Sequence, residues 1–227
     1  MNTSEIILND LKAILQEGHR EFSLLNMYKG VPLVCQARLD QVDESSAIFT
    51  VQPPESATLQ QEEKTLVLSN GLLEILEAKV ECLELVSGKF KLSDFSYAGS
   101  KYANRRELRV EPAESIPIQI ASNGRMLSGE IADLSVRGVG LRLPAGELTS
   151  TFTLGKIIAI TLHLPENKVR LEGKIRSITR TPQYLRLAME FTGAVPEKTI
   201  IIRYVMQRRS EIVIEIRELY EQAIRLG

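Results

Sequence analysis

Short runs of alternating apolar and polar residues dominate the first hundred positions of the chain. Such alternation places every second side chain on one face and predicts β-strands. Turn-rich pieces such as YKGVP and QPPESA separate six of these runs, which cover residues 21–28, 31–42, 46–52, 64–69, 77–86 and 89–98. Because six strands in about eighty residues are enough for a small barrel, we expect one here.

A second series of alternating runs follows in the middle of the chain. Its six members cover residues 115–121, 125–135, 138–144, 156–165, 168–180 and 183–191. Their regular spacing indicates another closed barrel of about six strands. The small, polar stretch at residues 98–101 lies between the two series and is the best linker candidate.

The two ends of the chain have helical spacing instead. Residues 4–17 place four apolar side chains on one face, namely Ile7, Leu11, Ile14 and Leu15. Thr3 or Ser4 is suited to cap this helix, and Gly18 is suited to end it. Pro196 fits the first turn of a second, longer helix that runs to about residue 225.

This longer helix carries one apolar stripe with a single polar break at Arg209. The stripe consists of Val205, Ile212, Ile216, Leu219, Ala223 and Leu226. Two interpretations stay open: the stripe covers a barrel of its own chain, or it pairs with another copy to form a homo-oligomer. We therefore predict a mainly β protein with an N-terminal domain at 1–98, a linker at 99–104, a barrel at 105–195 and a helix at 196–227.

Composition narrows the range of functions. The 227 residues carry a net charge of −1, so there is no overall basic field to hold a nucleic acid, and any anionic ligand must be bound by a local cluster. Two cysteines are too few for a disulfide scaffold, and we expect both thiols to be buried in a reducing compartment. The sequence shows neither a basic leader nor an apolar run long enough to span a membrane, so we predict a cytoplasmic protein without membrane insertion.

Groups typical of catalysis are sparse. The two histidines, His19 and His163, are far apart, and neither has the spacing of a metal ligand. No nucleophile elbow, phosphate loop or Cys-x-x-Cys occurs. We accordingly expect no catalytic residues, no metal and no cofactor, and we predict that the protein is not an enzyme.

Two segments carry the chemistry of a binding site. Arg105, Arg106 and Arg109 follow the linker, and Asp133 with Ser135 and Gly138 lies where a strand meets a tight turn. Arginine forks bind the O6 and N7 edge of guanine and phosphate oxygens. An aspartate accepts the N1 and N2 protons of guanine, a serine binds phosphate or the turn backbone, and a glycine allows a positive φ and close backbone approach to a ligand. Each segment alone is common in linkers and turns, but together they suit a compact dianion bearing guanines, held at a solvent-facing site.

The two segments, RRELR and DLSVRGVGL, resemble the signature motifs of the PilZ domain family. Gly173 and the strand YLRLAMEF, ending at Phe191, resemble its later strands, so that the resemblance covers residues 101–195. Two positions depart from the pattern: Ala188 stands where many members have glycine, and Asn104 stands where some members have an arginine that favours a stacked nucleotide dimer. The N-terminal half resembles the flagellar-brake architecture only in order and size.

This resemblance implies a six-stranded barrel that binds cyclic di-GMP. Arg105 and Arg109 would clamp guanine edges and phosphates, with Arg106 beside them, while Asp133, Ser135 and Gly138 would hold the ligand against the barrel. The predicted function is a receptor that changes its interdomain geometry and regulates a protein partner, such as the flagellar motor or an export machine. The alternative is an adaptor that works through protein contacts without nucleotide.

Overall fold

The computed structural model describes residues 2–52, 54, 56–59, 64–99, 108–122, 124–145, 152–192 and 198–226. The chain is mainly β, with two closed barrels of six strands, a helix near the N-terminus and a long helix near the C-terminus. This is the predicted fold class. The chain forms two compact units, of which the first comprises residues 1–106 with 212–227 and the second comprises residues 107–211.

The barrel of the first unit is a ring of antiparallel strands in the order β1-β2-β3-β6-β5-β4, closed by pairing of β1 with β4. The strands are β1 (Glu21–Tyr28), β2 (Val31–Val42), β3 (Ser46–Val51), β4 (Lys64–Leu68), β5 (Leu76–Glu84) and β6 (Lys89–Tyr97). In β1 every second residue is buried, so the alternation in the sequence marks the side chains that face the barrel interior. A short helix, α2 (Ser56–Leu59), lies in the piece expected to be a turn and is entirely buried.

Helix α1 (Thr3–Gln16) packs its apolar face on the core of this barrel. Ile7, Leu8 and Leu11 are buried there, which confirms the predicted stripe and adds one residue to it. The N-cap is Asn2 rather than Thr3 or Ser4: the Asn2 backbone N–H donates to Glu5 Oε2 at 2.9 Å. The chain leaves the helix at Gly18, whose φ of 85° suits glycine.

The second barrel has the strand order β10-β13-β12-β11-β8-β9 and closes through pairing of β10 with β9. A two-residue strand, which the sequence did not predict, pairs with the end of β9 on the edge opposite β10. The strands are β7 (Arg109–Val110), β8 (Pro117–Ser122), β9 (Arg125–Ser135), β10 (Gly138–Pro144), β11 (Ile157–Leu164), β12 (Asn167–Arg180) and β13 (Tyr184–Phe191). Buried aliphatic residues such as Leu134, Leu141 and Leu187 fill the interior.

Helix α3 (Lys198–Leu226) contributes residues to both units. In its first part, the buried Arg208 donates from Nε to the carbonyl of Glu111 at 2.9 Å. In its second part, Tyr220 and Ala223 pack against the core of the first unit. Half of the predicted apolar stripe is buried within the chain, namely Val205, Ile212 and Ile216. This burial favours packing on the chain itself over pairing with another copy through that stripe.

Both cysteine side chains were expected to be buried. Cys35 is buried at 2 % exposure, as expected, while the side chain of Cys82 lies outside the described residues.

Within the described parts of the chain, no helix is both long enough and apolar enough to cross a membrane.

Candidate functional site

The turn between β9 and β10 brings Ser135 and Gly138 into direct contact. Ser135 Oγ accepts the backbone N–H of Gly138 at 3.0 Å and donates to the Gly138 carbonyl at 3.1 Å. Of the two roles expected for this serine, the one that the structure shows is bonding to the turn backbone. The turn is also fixed to the end of β13, because the N–H of Phe191 donates to the carbonyl of Arg137 at 2.8 Å.

Gly138 is required by packing rather than by an unusual φ. A Cβ at this position would lie 2.4 Å from the backbone carbonyl oxygen of Met189 on the neighbouring strand. Real Cβ atoms do not come that close to a backbone atom, so any other residue would push β10 away from β13. Gly138 thus lacks the positive φ that the sequence suggested, and the close approach seen there is to the protein's own backbone, so its approach to a ligand stays a prediction.

Asp133 lies between two arginines from different strands. Arg186 Nη2 on β13 donates to Asp133 Oδ2 at 2.6 Å, and Arg109 Nη1 on β7 lies 3.5 Å from Oδ1. The aspartate is only 7 % exposed, whereas the two arginine side chains are 46 % and 50 % exposed. The two guanidinium groups thus balance the charge of this buried carboxylate, and each of them contacts it with only one of its nitrogen atoms.

The exposure of the site differs from the sequence-based expectation. Asp133 and Ser135 were expected to face solvent, but they are 7 % and 5 % exposed, so that expectation is wrong for both. Pairing explains the difference. Ser135 pairs with Arg109 of β7, and Asp133 pairs with Gly140 of β10, so a neighbouring strand lies beside each of them.

Two small residues follow Asp133 across the outer face of the barrel. Gly140 is its register partner on β10, and Ala188 is the register partner of Gly140 on β13. A Cβ at Gly140 would lie 2.4 Å from Asp133 Oδ2, so the carboxylate occupies the space that a side chain would take. Because side chains alternate along β13, Arg186 and Glu190 flank Ala188 on this same outer face.

A second charged cluster lies beside the turn. Glu190 Oε2 accepts from Arg176 Nε at 2.6 Å and lies 2.5 Å from Arg176 Nη2, and Glu190 Oε1 lies 3.5 Å from Arg137 Nη2. The hydrogen bond from Arg176 and the positive charge of that guanidinium hold the pKa of Glu190 below its ordinary value. With Asp133 between Arg109 and Arg186, each of the two clusters has one carboxylate for two arginines.

The structure thus brings together four of the six residues predicted for the site: Arg109, Asp133, Ser135 and Gly138. Arg105 and Arg106 lie outside the described residues. Sequence reasoning missed the arginine at position 186. The alternation in YLRLAMEF carried a signal for it, because that arginine shares a strand face with Ala188, which the resemblance had already singled out.

Among the described residues, no group of three or more histidine, cysteine or acidic side chains is arranged to hold a metal ion. The donors at the site are guanidinium groups, backbone amides and one hydroxyl. These groups recognise anions and the hydrogen-bonding edges of bases.

Comparison with known proteins places this site within a named domain. Residues 103–207 match the model of the PilZ domain family, and this range includes every described site residue. A curated relative, an uncharacterized protein of Aquifex aeolicus, is 26 % identical over 141 residues, which are 62 % of this chain and 66 % of that protein.

Solved structures are similar at low sequence identity. MrkH of K. pneumonia in complex with c-di-GMP is 12 % identical, with 94 % of this chain and 98 % of that chain covered and a TM-score of 0.50. YcgR of Escherichia coli in complex with c-di-GMP is 14 % identical, with 99 % and 96 % covered and a TM-score of 0.41. MotI, an inhibitor of motility from Bacillus subtilis, is 11 % identical, with 85 % and 96 % covered and a TM-score of 0.44. At its level of identity, the MrkH comparison supports a shared fold.

Proposed function

Because residues 103–207 of this chain match the PilZ domain model, we propose that the protein is a cytoplasmic receptor for cyclic di-GMP that binds the nucleotide and leaves it intact. The observation that carries the proposal is the Asp133 carboxylate, held between Arg109 and Arg186 beside the Ser135–Gly138 turn. The match to the domain model and the contacts among these residues support the same location for the site.

The chemistry of the site fits the two halves of this ligand. The Asp133 carboxylate is suited to accept the N1 and N2 protons of a guanine, and an arginine fork such as that of Arg109 is suited to its O6 and N7 edge or to a phosphate. In the clusters around Asp133 and Glu190, arginines outnumber carboxylates two to one. Such an excess of positive charge favours a ligand with two phosphates, one for each cluster.

The proposal includes an output through a protein partner, with the flagellar motor and an export machine as the candidates. Arg109 supports an effect on domain arrangement, since it is the third residue of the second unit and follows the segment that joins it to the first. A contact between this arginine and the ligand would constrain that segment. Small-angle scattering at saturating nucleotide tests this step: superimposable curves with and without ligand would limit the effect of binding to a local surface.

Isothermal titration calorimetry with cyclic di-GMP is the decisive experiment, followed by chromatography of the recovered nucleotide. We expect saturable binding, weaker or absent binding of cyclic di-AMP, and quantitative recovery of intact ligand. Asp133→Ala should weaken binding, since a bidentate contact to a base contributes about 1–3 kcal/mol.

Two results would contradict the proposal in different ways. No heat of binding at about 100 μM ligand, where a site of about −5.5 kcal/mol is still visible, would favour the nucleotide-independent adaptor. Linear dinucleotide in excess of a protein-free control would instead show that the protein is an enzyme.

A further inference from the structure

The partner of Asp133 on β13 carries an inference that rests on the proposed function. Arg186 is 53 residues from Asp133 in sequence, yet its Nη2 contacts Oδ2 at 2.6 Å, closer than the 3.5 Å between Arg109 and Oδ1. We propose that Arg186 positions the Asp133 carboxylate for guanine and thereby sets the affinity and the base selectivity of the site.

The two arginines are anchored differently. Arg186 is the third residue of β13, which is hydrogen-bonded to β10 on one side and to β12 on the other. Arg109 lies on β7, a strand of two residues that pairs with β9. The position of Arg186 is therefore fixed by strands on both sides, and among the described contacts it is the firmer support for the carboxylate.

Orientation matters because the donor groups of guanine are directional. N1–H and one N2–H point in the same direction from two nitrogens bonded to the same carbon, so a carboxylate accepts both only when its two oxygens lie in the plane of the base. Each carboxylate oxygen has about two lone-pair sites, so Oδ2 can accept from Arg186 and from a base at the same time. Arg186 thus fixes the rotation of the carboxylate without using up its capacity to bind guanine.

Arg142 provides a matched control. It is the register partner of Arg186 on the adjacent strand β10, and the two side chains are 45 % and 46 % exposed. Its carboxylate partner is Glu130, at 3.7 Å, rather than Asp133. Replacing either arginine by glutamine removes the same charge from the same face, but only one of the two changes touches Asp133.

Titration of cyclic di-GMP and its inosine analogue, cyclic di-IMP, into the full-length variants tests the assignment. The analogue lacks the N2 amine, so the ratio of the two affinities measures how well Asp133 recognises that group. We expect Arg186→Gln to weaken cyclic di-GMP binding about 10-fold, the effect of one charge-assisted hydrogen bond, and to reduce the ratio. Arg142→Gln should change the affinity less than about 3-fold and leave the ratio unchanged, since its effect is one of long-range charge.

Two further variants test whether Arg186 acts through Asp133. Arg186→Lys should recover part of the affinity, because an ammonium keeps the charge but not the planar fork. In an Asp133→Asn background, Arg186→Gln should lose most of its effect, since coupled residues are not additive.

The outcomes separate the inference from the proposed function. Equal losses of affinity and of base preference in Arg186→Gln and Arg142→Gln would overturn the inference while leaving the receptor intact. An undiminished effect of Arg186→Gln beside Asp133→Asn would do the same. If the wild-type protein binds neither nucleotide, the proposed function fails and the positioning role fails with it.

Discussion

Replacing Gly140 by alanine should displace the Asp133 carboxylate while leaving the backbone in place. A Cβ at Gly140 would lie 2.4 Å from Asp133 Oδ2 and 2.8 Å from its Cγ. Ordinary contact needs about 3.4 Å or more, so the carboxylate would have to move by about 1 Å. Gly140 does not have a positive φ, and alanine brings no backbone strain there. The whole effect therefore falls on the position of one carboxylate.

The magnitude follows from the contact that this movement breaks. A shift of about 1 Å removes the 2.6 Å hydrogen bond between Arg186 and Asp133, and hydrogen bonds to charged groups contribute about 1.5–3 kcal/mol. If guanine recognition needs the same carboxylate orientation, the affinity for cyclic di-GMP falls about 10- to 100-fold. The loss of stability should be about 1–3 kcal/mol, because the broken hydrogen bond is part of the fold while the moving side chain spares the backbone.

Calorimetry and thermal denaturation measure the two effects on the same samples. For a chain of this length, 1 kcal/mol corresponds to about 2–4 °C in Tm. Gly99→Ala is the neutral control, since a Cβ there would meet nothing within 4 Å. Asp133→Ala combined with Gly140→Ala should restore the Tm to that of Asp133→Ala alone, because the atoms that clash are gone. A Gly140→Ala protein that binds cyclic di-GMP within 3-fold of wild type would refute the assigned role of this carboxylate.

Other variants test single contacts. Gly138→Ala should lower the Tm more than Gly140→Ala does, because the clash at 2.4 Å is with a backbone carbonyl, and equal Tm values would contradict this. Ser135→Ala should cost about 1–2 kcal/mol of unfolding free energy in urea, since its buried hydroxyl makes two hydrogen bonds to the turn. The pKa of Glu190 is lowered in the folded protein. The stabilisation by Arg176 is therefore present above the pKa that Glu190 has in the unfolded state, and it is lost as the pH falls through the pKa in the folded state. NMR titration should therefore show the Glu190 midpoint move upward in Arg176→Gln, and an unchanged midpoint would exclude the pairing as its cause.

Alternation of apolar residues was enough to predict nearly every strand. All twelve predicted strands are present, most of them within one or two residues at each end, because burial of one face is a local property of the sequence. Two short elements were missed for the same reason. The two-residue strand β7 and the four-residue helix α2 are too short to show a period, and their structure depends on neighbours distant in sequence.

The candidate site was predictable as a set of chemical groups but not as a geometry. Asp133 and Ser135 were identified from residue types and spacing, yet both are buried, because β7 and β10 pair on either side of β9. Whether a turn residue faces solvent depends on which strands add beside it. That information lies in the pairing of segments far apart in sequence, and neither the spacing nor the residue types carry it.

Arg186 shows how the pairing of distant strands bears on ligand binding. A binding motif names the groups that meet the ligand, but the direction of a carboxylate is set by whatever holds its other oxygen. Here that group comes from β13, brought beside Asp133 by the register of β10 with β9 and β13, in which Gly140 pairs with both Asp133 and Ala188. Proteins with the same two motifs but a different residue at this place on β13 would present the carboxylate differently. Their affinity for cyclic di-GMP should therefore vary with a strand that neither motif includes.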